Sequence, residues 1–312
     1  MDGANRTVVS EFVLLGFQAM KGFQIPLFCI FSTFYLLIIA SNLAIIAMVR
    51  VYQHLHTPMY FFLGNFSILE VLYTTVTVPR MLADLLAEQK TISSKACVVQ
   101  FYFLFVFGAT ENLLLALMAF DRYVAICRPL HYPTIMTSKT CGLLALAAWL
   151  GGLLAPALPA CWISTLAFCT PNEIDHFCCD FAPLLKLSCT DTSTKELTFL
   201  FLAWVLIWSC FLLIMTSYGL IIFSVLKIPS AEGQKKAFST CASHLTVVGI
   251  FYSTVMFMYI RPTSTIRFRM DKVVSVFYTV ITPMLNPLIY SLRNKEVKGA
   301  LKRTIRRCCA PI

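Results

Sequence analysis

Two acidic residues, Glu70 and Glu111, stand inside long runs of hydrophobic residues in this 312-residue chain. An ionisable side chain away from water is costly to keep charged, and such residues are functional by default. Carboxylates in this setting can carry a proton or hold a cation. We therefore treat the two glutamates as candidates for proton movement or cation binding inside an apolar protein.

Five cysteines form a second group that can do chemistry. Cys97 opens one of the apolar runs, and Cys169, Cys178, Cys179 and Cys189 fall in one later loop. On the oxidising side of a membrane such cysteines can pair. A Cys97–Cys179 bond would pin the loop to the run, and Cys169–Cys189 would close a smaller ring. Cys178 can replace Cys179, so the sequence leaves the pairing open.

The same loop reads His-Phe-Cys-Cys-Asp from His176 to Asp180. Side chains of these types can ligate a transition metal. Disulfide formation together with ordinary polar loop residues explains the segment more simply. We therefore expect a disulfide-bonded loop in preference to a metal centre.

The composition indicates which elements must position these residues. Hydrophobic residues make up 58% of the chain and charged residues 13%, and the mean hydropathy is +0.77. A soluble domain carries about 25% charged residues. The composition therefore excludes a soluble enzyme, a disordered tail and a coiled coil, and it indicates a membrane protein.

Seven apolar runs reach the roughly 20 residues that a helix needs to cross a bilayer. They are Gly22–Val49, Thr57–Pro79, Ala96–Phe120, Thr140–Asn172, Leu197–Leu226, Ala237–Ile260 and Val273–Leu292. Backbone groups in lipid must pair internally, so each run is predicted to be a helix. The fourth is too long for one span, and we expect the chain to leave the membrane from about Cys161. The predicted fold class is an all-α membrane protein, a bundle of seven transmembrane helices.

The basic residues predict the orientation, because cytoplasmic loops are enriched in Lys and Arg. With the N-terminus outside, the inner segments hold 14 basic residues and three acidic ones. This predicts an extracellular tail over residues 1–24, the helical bundle with its loops over 25–292 and a cytoplasmic tail over 293–312. The net charge of +10 then lies beside the membrane, so nucleic acid is excluded as a partner and membrane lipids are expected as one.

The two termini carry modification signals. Asn5 opens an Asn-Arg-Thr sequon on the outer tail and is the predicted glycosylation site. No cleavable signal peptide is visible in residues 1–21, so the first span is expected to act as the insertion signal. The basic segment Lys295–Arg307 is expected to form a short amphipathic helix on anionic lipid, with Cys308 and Cys309 in a context for palmitoylation.

Five motifs at the inner ends of the predicted spans occur in order along the chain. They are Leu55–Leu63, Met118–Cys127 with Asp-Arg-Tyr at its centre, Ser217-Tyr218, Lys236–Leu245 and Pro283–Asn294. Together they resemble the olfactory receptor family of rhodopsin-like G-protein-coupled receptors, and the loop cysteines resemble its tetrapod-type (class II) group. The resemblance runs from about residue 5 to residue 303. Cys178 departs from it, since phenylalanine is more usual there, which keeps the disulfide assignment open.

The resemblance implies a receptor and not an enzyme. It implies that a small, volatile, largely apolar odorant binds within the bundle. It also implies that a stimulatory, olfactory-type heterotrimeric G protein is activated and raises cyclic AMP. The expected location is the plasma membrane of olfactory cilia, with the N-terminus outside.

By resemblance, one set of residues at the inner ends forms the coupling switch. These are Asp121, Arg122, Tyr123, Tyr218, His244, Asn286, Pro287 and Tyr290. Asp121 is expected to hold the Arg122 guanidinium until span six swings away. His244 is either a buried neutral histidine bonded to its neighbours or a member of the switch.

The expected ligand site combines helical spacing with the resemblance. Its residues are Leu104, Phe105, Gly108, Ala109, Asn112, Leu202, Ala203, Leu206, Ile207, Tyr252, Val255, Tyr259, Ser275 and Thr279. Span three carries no Asp near Leu104, which favours a neutral or weakly polar ligand over an amine. Since spans two and three are neighbours in the family fold, Glu70 and Glu111 are expected to share a proton or, preferably, to hold a structural Na⁺ ion. We expect no other cofactor.

Other classes of membrane protein fit the sequence less well. A transporter is expected to show internal repeats, and seven spans do not halve, although the glutamate pair could serve a proton path. A retinal protein needs a lysine in the seventh span, and Val273–Leu292 has none. No zinc-protease, phosphate-loop or serine-hydrolase motif is visible.

Overall fold

The computed structural model of the protein describes residues 9–17, 22–259 and 267–293, and most of these residues are helical. Its helices are α1 (Gln24–Val51), α2 (Pro58–Leu86), α3 (Ser94–Cys127), α4 (Tyr132–Ile135), α5 (Ser138–Leu154), α6 (Ala157–Ser164), α7 (Phe181–Lys186), α8 (Ser193–Leu226), α9 (Ala231–Tyr259), α10 (Arg267–Val276) and α11 (Thr282–Arg293). Its strands are β1 (Glu11–Leu14), β2 (Thr91–Ser93) and β3 (Glu173–Ile174). The predicted sites at Asn5, Lys295–Arg307, Cys308 and Cys309 lie outside the described residues.

Within the described ranges, six helical stretches are long and apolar enough to cross a membrane. They are Gln24–Val51, Pro58–Leu86, Ser94–Cys127, Ser138–Ser164, Ser193–Leu226 and Lys272–Tyr290. The remaining predicted span lies in α9, whose shorter apolar part is Cys241–Phe257. The prediction of an all-α membrane bundle with seven spans is confirmed.

Several helices extend beyond the apolar runs that predicted them. α2 continues past Pro79 to Leu86, and in this part Arg80 forms an ion pair of 2.8 Å with Asp84, one turn later on the same face. The fourth span is interrupted at Pro156 and then continues as α6 to Ser164. The chain therefore leaves the helix about one turn later than the expected Cys161.

The middle of the bundle is built around α3, which packs against α2, α5 and α8. α5 approaches α3 closely at Gly152, where a Cβ atom would overlap the side chain of Thr110. Large apolar side chains such as Leu36 on α1 and Phe201 on α8 are exposed on the outside of the bundle. Soluble monomers rarely expose so much contiguous apolar surface, and this surface suits contact with lipid.

One end of the bundle, called the sheet end below, is closed by a three-stranded sheet. β1 lies in the middle, antiparallel to β2 and parallel to β3. The long loop between α6 and α8, residues 165–192, supplies β3 and α7. Phe12 and Leu14 of β1 are fully buried beneath this sheet. From the sequence, we expected the segment that contains β1 to form only an extracellular tail. Strands of two to four residues leave no clear periodic pattern by which they could be predicted.

Two disulfides hold the long loop. Cys97 at the start of α3 is bonded to Cys179, and Cys169 is bonded to Cys189. Cys178 is a free thiol. Of the two pairings that the sequence left open, the structure has the one that uses Cys179.

Candidate ligand cavity and switch region

A cavity of about 270 Å³ lies between the helices, beneath the long loop. The predicted ligand residues that line it are Leu104, Phe105, Gly108, Ala109, Asn112, Leu202, Ala203, Leu206, Ile207, Val255, Ser275 and Thr279. They come from α3, α8, α9 and the last span, because residues three and four apart on a helix share one face. The lining is mostly apolar with a few polar groups, which is the usual chemistry of a small-molecule site.

Two predicted ligand residues are placed differently. Tyr252 does not line the cavity, since its hydroxyl donates to Asn112 Oδ1 at 2.5 Å behind the wall. Asn112 in turn donates to the carbonyl of Leu206 at 3.3 Å. Tyr252 therefore supports a lining residue and is not one itself. The side chain of Tyr259 lies outside the described residues.

The structure adds residues that the sequence analysis missed. They are Tyr73, Ala155, Pro156, Pro159, Cys178, Asp180, Phe199, Phe251, Thr254 and Tyr278. Phe199 lies one turn before Leu202 and could have been found by extending the helical spacing on α8. Cys178 and Asp180 belong to the long loop, where no periodicity places side chains.

Asp180 brings a carboxylate to the cavity wall. One of its oxygens accepts from the backbone N–H of Phe181 at 2.7 Å, at the start of α7. We expected no acid in the ligand site because the face of α3 near Leu104 carries no Asp. The long loop supplies the acid instead, so the cavity wall has one carboxyl side chain beside its apolar residues.

Cys178 and Ser275 line the cavity beneath the long loop, and both contact His176, which is buried and does not line it. Sγ of Cys178 lies 3.3 Å from Nδ1 of His176, and Nε2 of His176 lies 3.2 Å from Oγ of Ser275. Burial lowers the pKa of His176 and raises the pKa of the Cys178 thiol well above its usual value. At neutral pH this cluster is therefore an uncharged imidazole beside a protonated thiol.

Part of the last span departs from α-helical geometry next to the cavity. Residues Phe277–Ile281 form a π-helical turn, a feature that often marks functional sites. The turn carries Tyr278, whose hydroxyl donates to Glu111 at 3.4 Å, and Thr279, which lines the cavity. The cavity is thus connected to the buried acids below it.

Glu70 and Glu111 are both buried, with 1% and 3% of their surface exposed. The Asn286 amide donates to one oxygen of Glu70. The other Glu70 oxygen, Oδ1 of Asn286 and Oγ1 of Thr282 are buried without a hydrogen-bond partner. Oxygen atoms are the ligands of hard cations, so these residues fit a Na⁺ ion. Within the described ranges no three His, Cys, Asp or Glu residues come together as a metal cluster.

The opposite end of the bundle, called the Arg122 end below, contains the predicted switch residues. The expected ion pair between Asp121 and Arg122 is not found among the ion pairs of the described residues. Asp121 instead accepts from the hydroxyl of Tyr132 at 2.8 Å. Tyr132 belongs to α4, which packs beside this end of α3, so it reaches the carboxylate that was assigned to the arginine. This corrects the sequence-based expectation.

Most of the remaining switch residues lie on α8, α9 and α11. The hydroxyl of Tyr218 lies 2.6 Å from Nδ1 of His244, so the two helices are bonded at this end. The hydroxyl of Tyr290 is buried and has no hydrogen-bond partner among the described residues. Pro287 lies inside α11, one residue after Asn286. Tyr123 lies in α3 directly after Arg122 and is partly buried.

Comparison with known proteins gives a consistent result. The model of the olfactory receptor family matches residues 31–307. The chain is 50% identical to olfactory receptor 6N1 of Homo sapiens over 98% of each chain. It is 50% identical to olfactory receptor 6Z7 of Mus musculus over 97% of each, and 48% identical to olfactory receptor-like protein OLF1 of Canis lupus familiaris over 98% of each. The similarity therefore covers nearly the whole chain.

Proposed function

The chain belongs to the olfactory receptor family, and on this premise we propose that it binds a small, largely apolar volatile molecule in the 270 Å³ cavity and activates a stimulatory, olfactory-type G protein. Olfactory receptors are G-protein-coupled receptors, multi-pass membrane proteins that signal and are not enzymes. The chemistry of the ligand and the type of G protein are our proposal.

The observation that carries the proposal is the connection between the cavity and α9. Asn112 lines the cavity and is bonded to Tyr252 on α9. Further along the same helix, His244 is bonded to Tyr218 on α8. A ligand that favours a different position of α9 therefore acts on the bond at the Arg122 end.

The mechanism is a shift between two states of the bundle. A ligand shifts such an equilibrium only by the difference between its affinities for the two states. Outward movement of α9 at the Arg122 end would break the Tyr218–His244 bond and open a surface around Arg122. The G protein binds there and leads to a rise in cyclic AMP.

The orientation follows from this mechanism. The sheet end faces the outside, where disulfides form and Asn5 is glycosylated. The Arg122 end faces the cytoplasm, with the segment Lys295–Arg307 as a helix on anionic lipid. We place the receptor in the plasma membrane of olfactory cilia.

We further propose that Glu70, Glu111 and Asn286 hold a structural Na⁺ ion. The support is the set of buried oxygen atoms without partners around Glu70. The ion would balance the negative charge of the carboxylates, which cannot easily both be charged without it. Glu111→Gln is expected to remove the sodium dependence of signalling, and unchanged folding together with unchanged sodium dependence would count against the ion.

The central test is an odorant panel read by cyclic AMP in transfected cells. At least one small volatile should raise cyclic AMP in cells that display the receptor. A variant that reaches the surface but lacks the arginine, Arg122→Ala, should give no response to the same compounds. A response to no compound, or equal responses from the two proteins, would overturn the proposal.

A further inference from the structure

Cys178 is a free thiol in the wall of the ligand cavity. It is 2% exposed and forms no disulfide, since Cys179 takes the bond to Cys97. The other free cysteines of the described residues lie elsewhere; Cys161, for example, is exposed on α6. A molecule in the cavity therefore meets Cys178.

The neighbouring histidine is held as a base for this thiol. The backbone N–H of Cys178 donates to Nδ1 of His176 at 3.2 Å, so Nδ1 carries a lone pair and no proton. Nε2 then carries the proton and donates to Oγ of Ser275 at 3.2 Å. The thiol sulfur lies 3.3 Å from the same Nδ1. This tautomer, assigned from the hydrogen bonds, makes Nδ1 an acceptor that the backbone N–H and the thiol of Cys178 share.

Ser275 supplies a hydrogen-bond donor on the same wall. Its oxygen accepts from His176, and among the described residues no acceptor takes its O–H proton. Thr279, one turn further, already donates to the Ser275 carbonyl at 2.7 Å. Both side chains line the cavity, so a carbonyl oxygen bound there can accept from Ser275.

We infer that this wall is a covalent subsite for small α,β-unsaturated ketones and aldehydes, which add to Cys178. The inference rests on the proposed function, because it takes the cavity as the odorant site. The mostly apolar lining suits the hydrocarbon part of such a molecule, and its carbonyl matches the Ser275 donor. Saturated ketones of the same shape can occupy the cavity but cannot form the bond.

The reaction is a conjugate addition that balances without an oxidant or reductant. The Cys178 sulfur forms a bond to the β-carbon while the thiol proton passes to Nδ1 of His176. The carbon–carbon π bond breaks, and its electron pair moves toward the carbonyl oxygen, which accepts from Ser275. The proton on His176 then passes to the α-carbon, and the product is a saturated thioether.

The buried setting makes the subsite selective. Because burial raises the pKa of the Cys178 thiol, little thiolate is present at neutral pH, and the thiol reacts slowly with reagents from bulk water. Burial also lowers the pKa of His176, which keeps its imidazole neutral but makes it a weaker base, so the thiol proton moves to it only together with formation of the carbon–sulfur bond. Reaction therefore requires an electrophile held in the cavity beside the base.

The test compares two thiols within the same receptor. Full-length receptor in membranes is incubated with a panel of small enones and enals, of which cyclohex-2-enone is one, and with their saturated counterparts. Peptide mass spectrometry then follows adducts on Cys178 and on the exposed Cys161. Faster labelling of Cys178 by at least one member, despite its burial, is expected.

Three variants separate the role of the base from access to the thiol. Cys178→Ser should lose the adduct on this peptide, and Cys161→Ser should keep it. His176→Gln should slow addition at Cys178 by about 100-fold, the lower range for loss of a general base. Labelling of Cys178 that is no faster than that of Cys161 by every panel member would overturn the inference, as would an unchanged rate in His176→Gln.

A cyclic AMP readout distinguishes this inference from the proposed function. In the wild-type receptor the signal should persist after washout of a reactive enone and decay after washout of the saturated ketone. Reversible signals from both without an adduct would overturn the covalent subsite and leave the receptor function intact. An adduct without a signal from any odorant would overturn the receptor function and leave the subsite intact.

Discussion

The two ends of the bundle are held together in different ways. The sheet end has two disulfides, a three-stranded sheet and an ion pair between Lys272 and Asp175. The Arg122 end has the hydrogen bonds of Tyr132 to Asp121 and of Tyr218 to His244. Covalent and strand contacts resist opening, whereas single hydrogen bonds between helices can exchange partners.

This difference shows how one fold can bind a ligand at one end and change its conformation at the other. The end that encloses the cavity must keep its wall residues in place, because a small ligand offers few contacts to organise them. The other end must reach a second arrangement at little cost, since a ligand supplies only a few kcal/mol of differential affinity. The hydroxyl of Tyr290, which has no hydrogen-bond partner among the described residues, can gain one in that second arrangement.

The largest effect is expected from breaking the sheet end. Cys97→Ser removes the disulfide that joins residues 82 positions apart, and loss of such a bond costs about 2–5 kcal/mol of folding stability. Surface display measured by antibody labelling of intact cells should fall to background. The matched control Cys161→Ser removes an exposed thiol and should display normally. Equal display of the two variants would contradict a structural role for the Cys97 bond.

The Arg122 end should respond in the opposite way. Arg122→Ala removes the cation that the G protein is expected to meet, but no hydrogen bond or ion pair of the described residues depends on it. Surface display should stay within about twofold of the wild type, and cyclic AMP should not rise with any odorant. Retained signalling at normal display would show that Arg122 does not serve as the coupling residue.

A substitution in the middle of the bundle tests how closely α5 packs against α3. Gly152→Ala places a methyl group against Thr110, which should force α5 away from α3 and cost about 1–3 kcal/mol. Thermal unfolding of the detergent-solubilised receptor should begin at lower temperature. Gly142→Ala on the same helix is the control, because a Cβ there meets nothing within 4 Å. Equal unfolding temperatures would contradict the close contact.

The smallest effect is expected from the ion pair at the sheet end. Lys272 bonds to Asp175 at 2.5 Å and to the carbonyl of Gly16 at 3.2 Å, but the Asp175 side chain is half exposed. Exposed pairs contribute about 0.2–1 kcal/mol. Lys272→Met should therefore lower the unfolding temperature slightly at low salt, and the gap to wild type should shrink as salt is added. A large, salt-independent loss would place Lys272 among the main supports of this end.

Sequence alone determined the spans of this protein. A run of about 20 apolar residues has few alternatives in lipid, because each backbone group must be paired within the segment. The helical repeat then places Leu104, Gly108 and Val255 on faces that turn out to meet around one cavity. Local patterns carry this information, since span and face depend on neighbours three and four residues away.

Only the tertiary structure decided between Cys178 and Cys179. The N–H of Cys178 bonds to His176 and that of Cys179 to Gln100 of α3, so adjacent residues face different partners. The same holds for Tyr132, which takes the Asp121 carboxylate expected for Arg122. These choices depend on contacts between segments far apart in the chain, and no repeat within a loop records them.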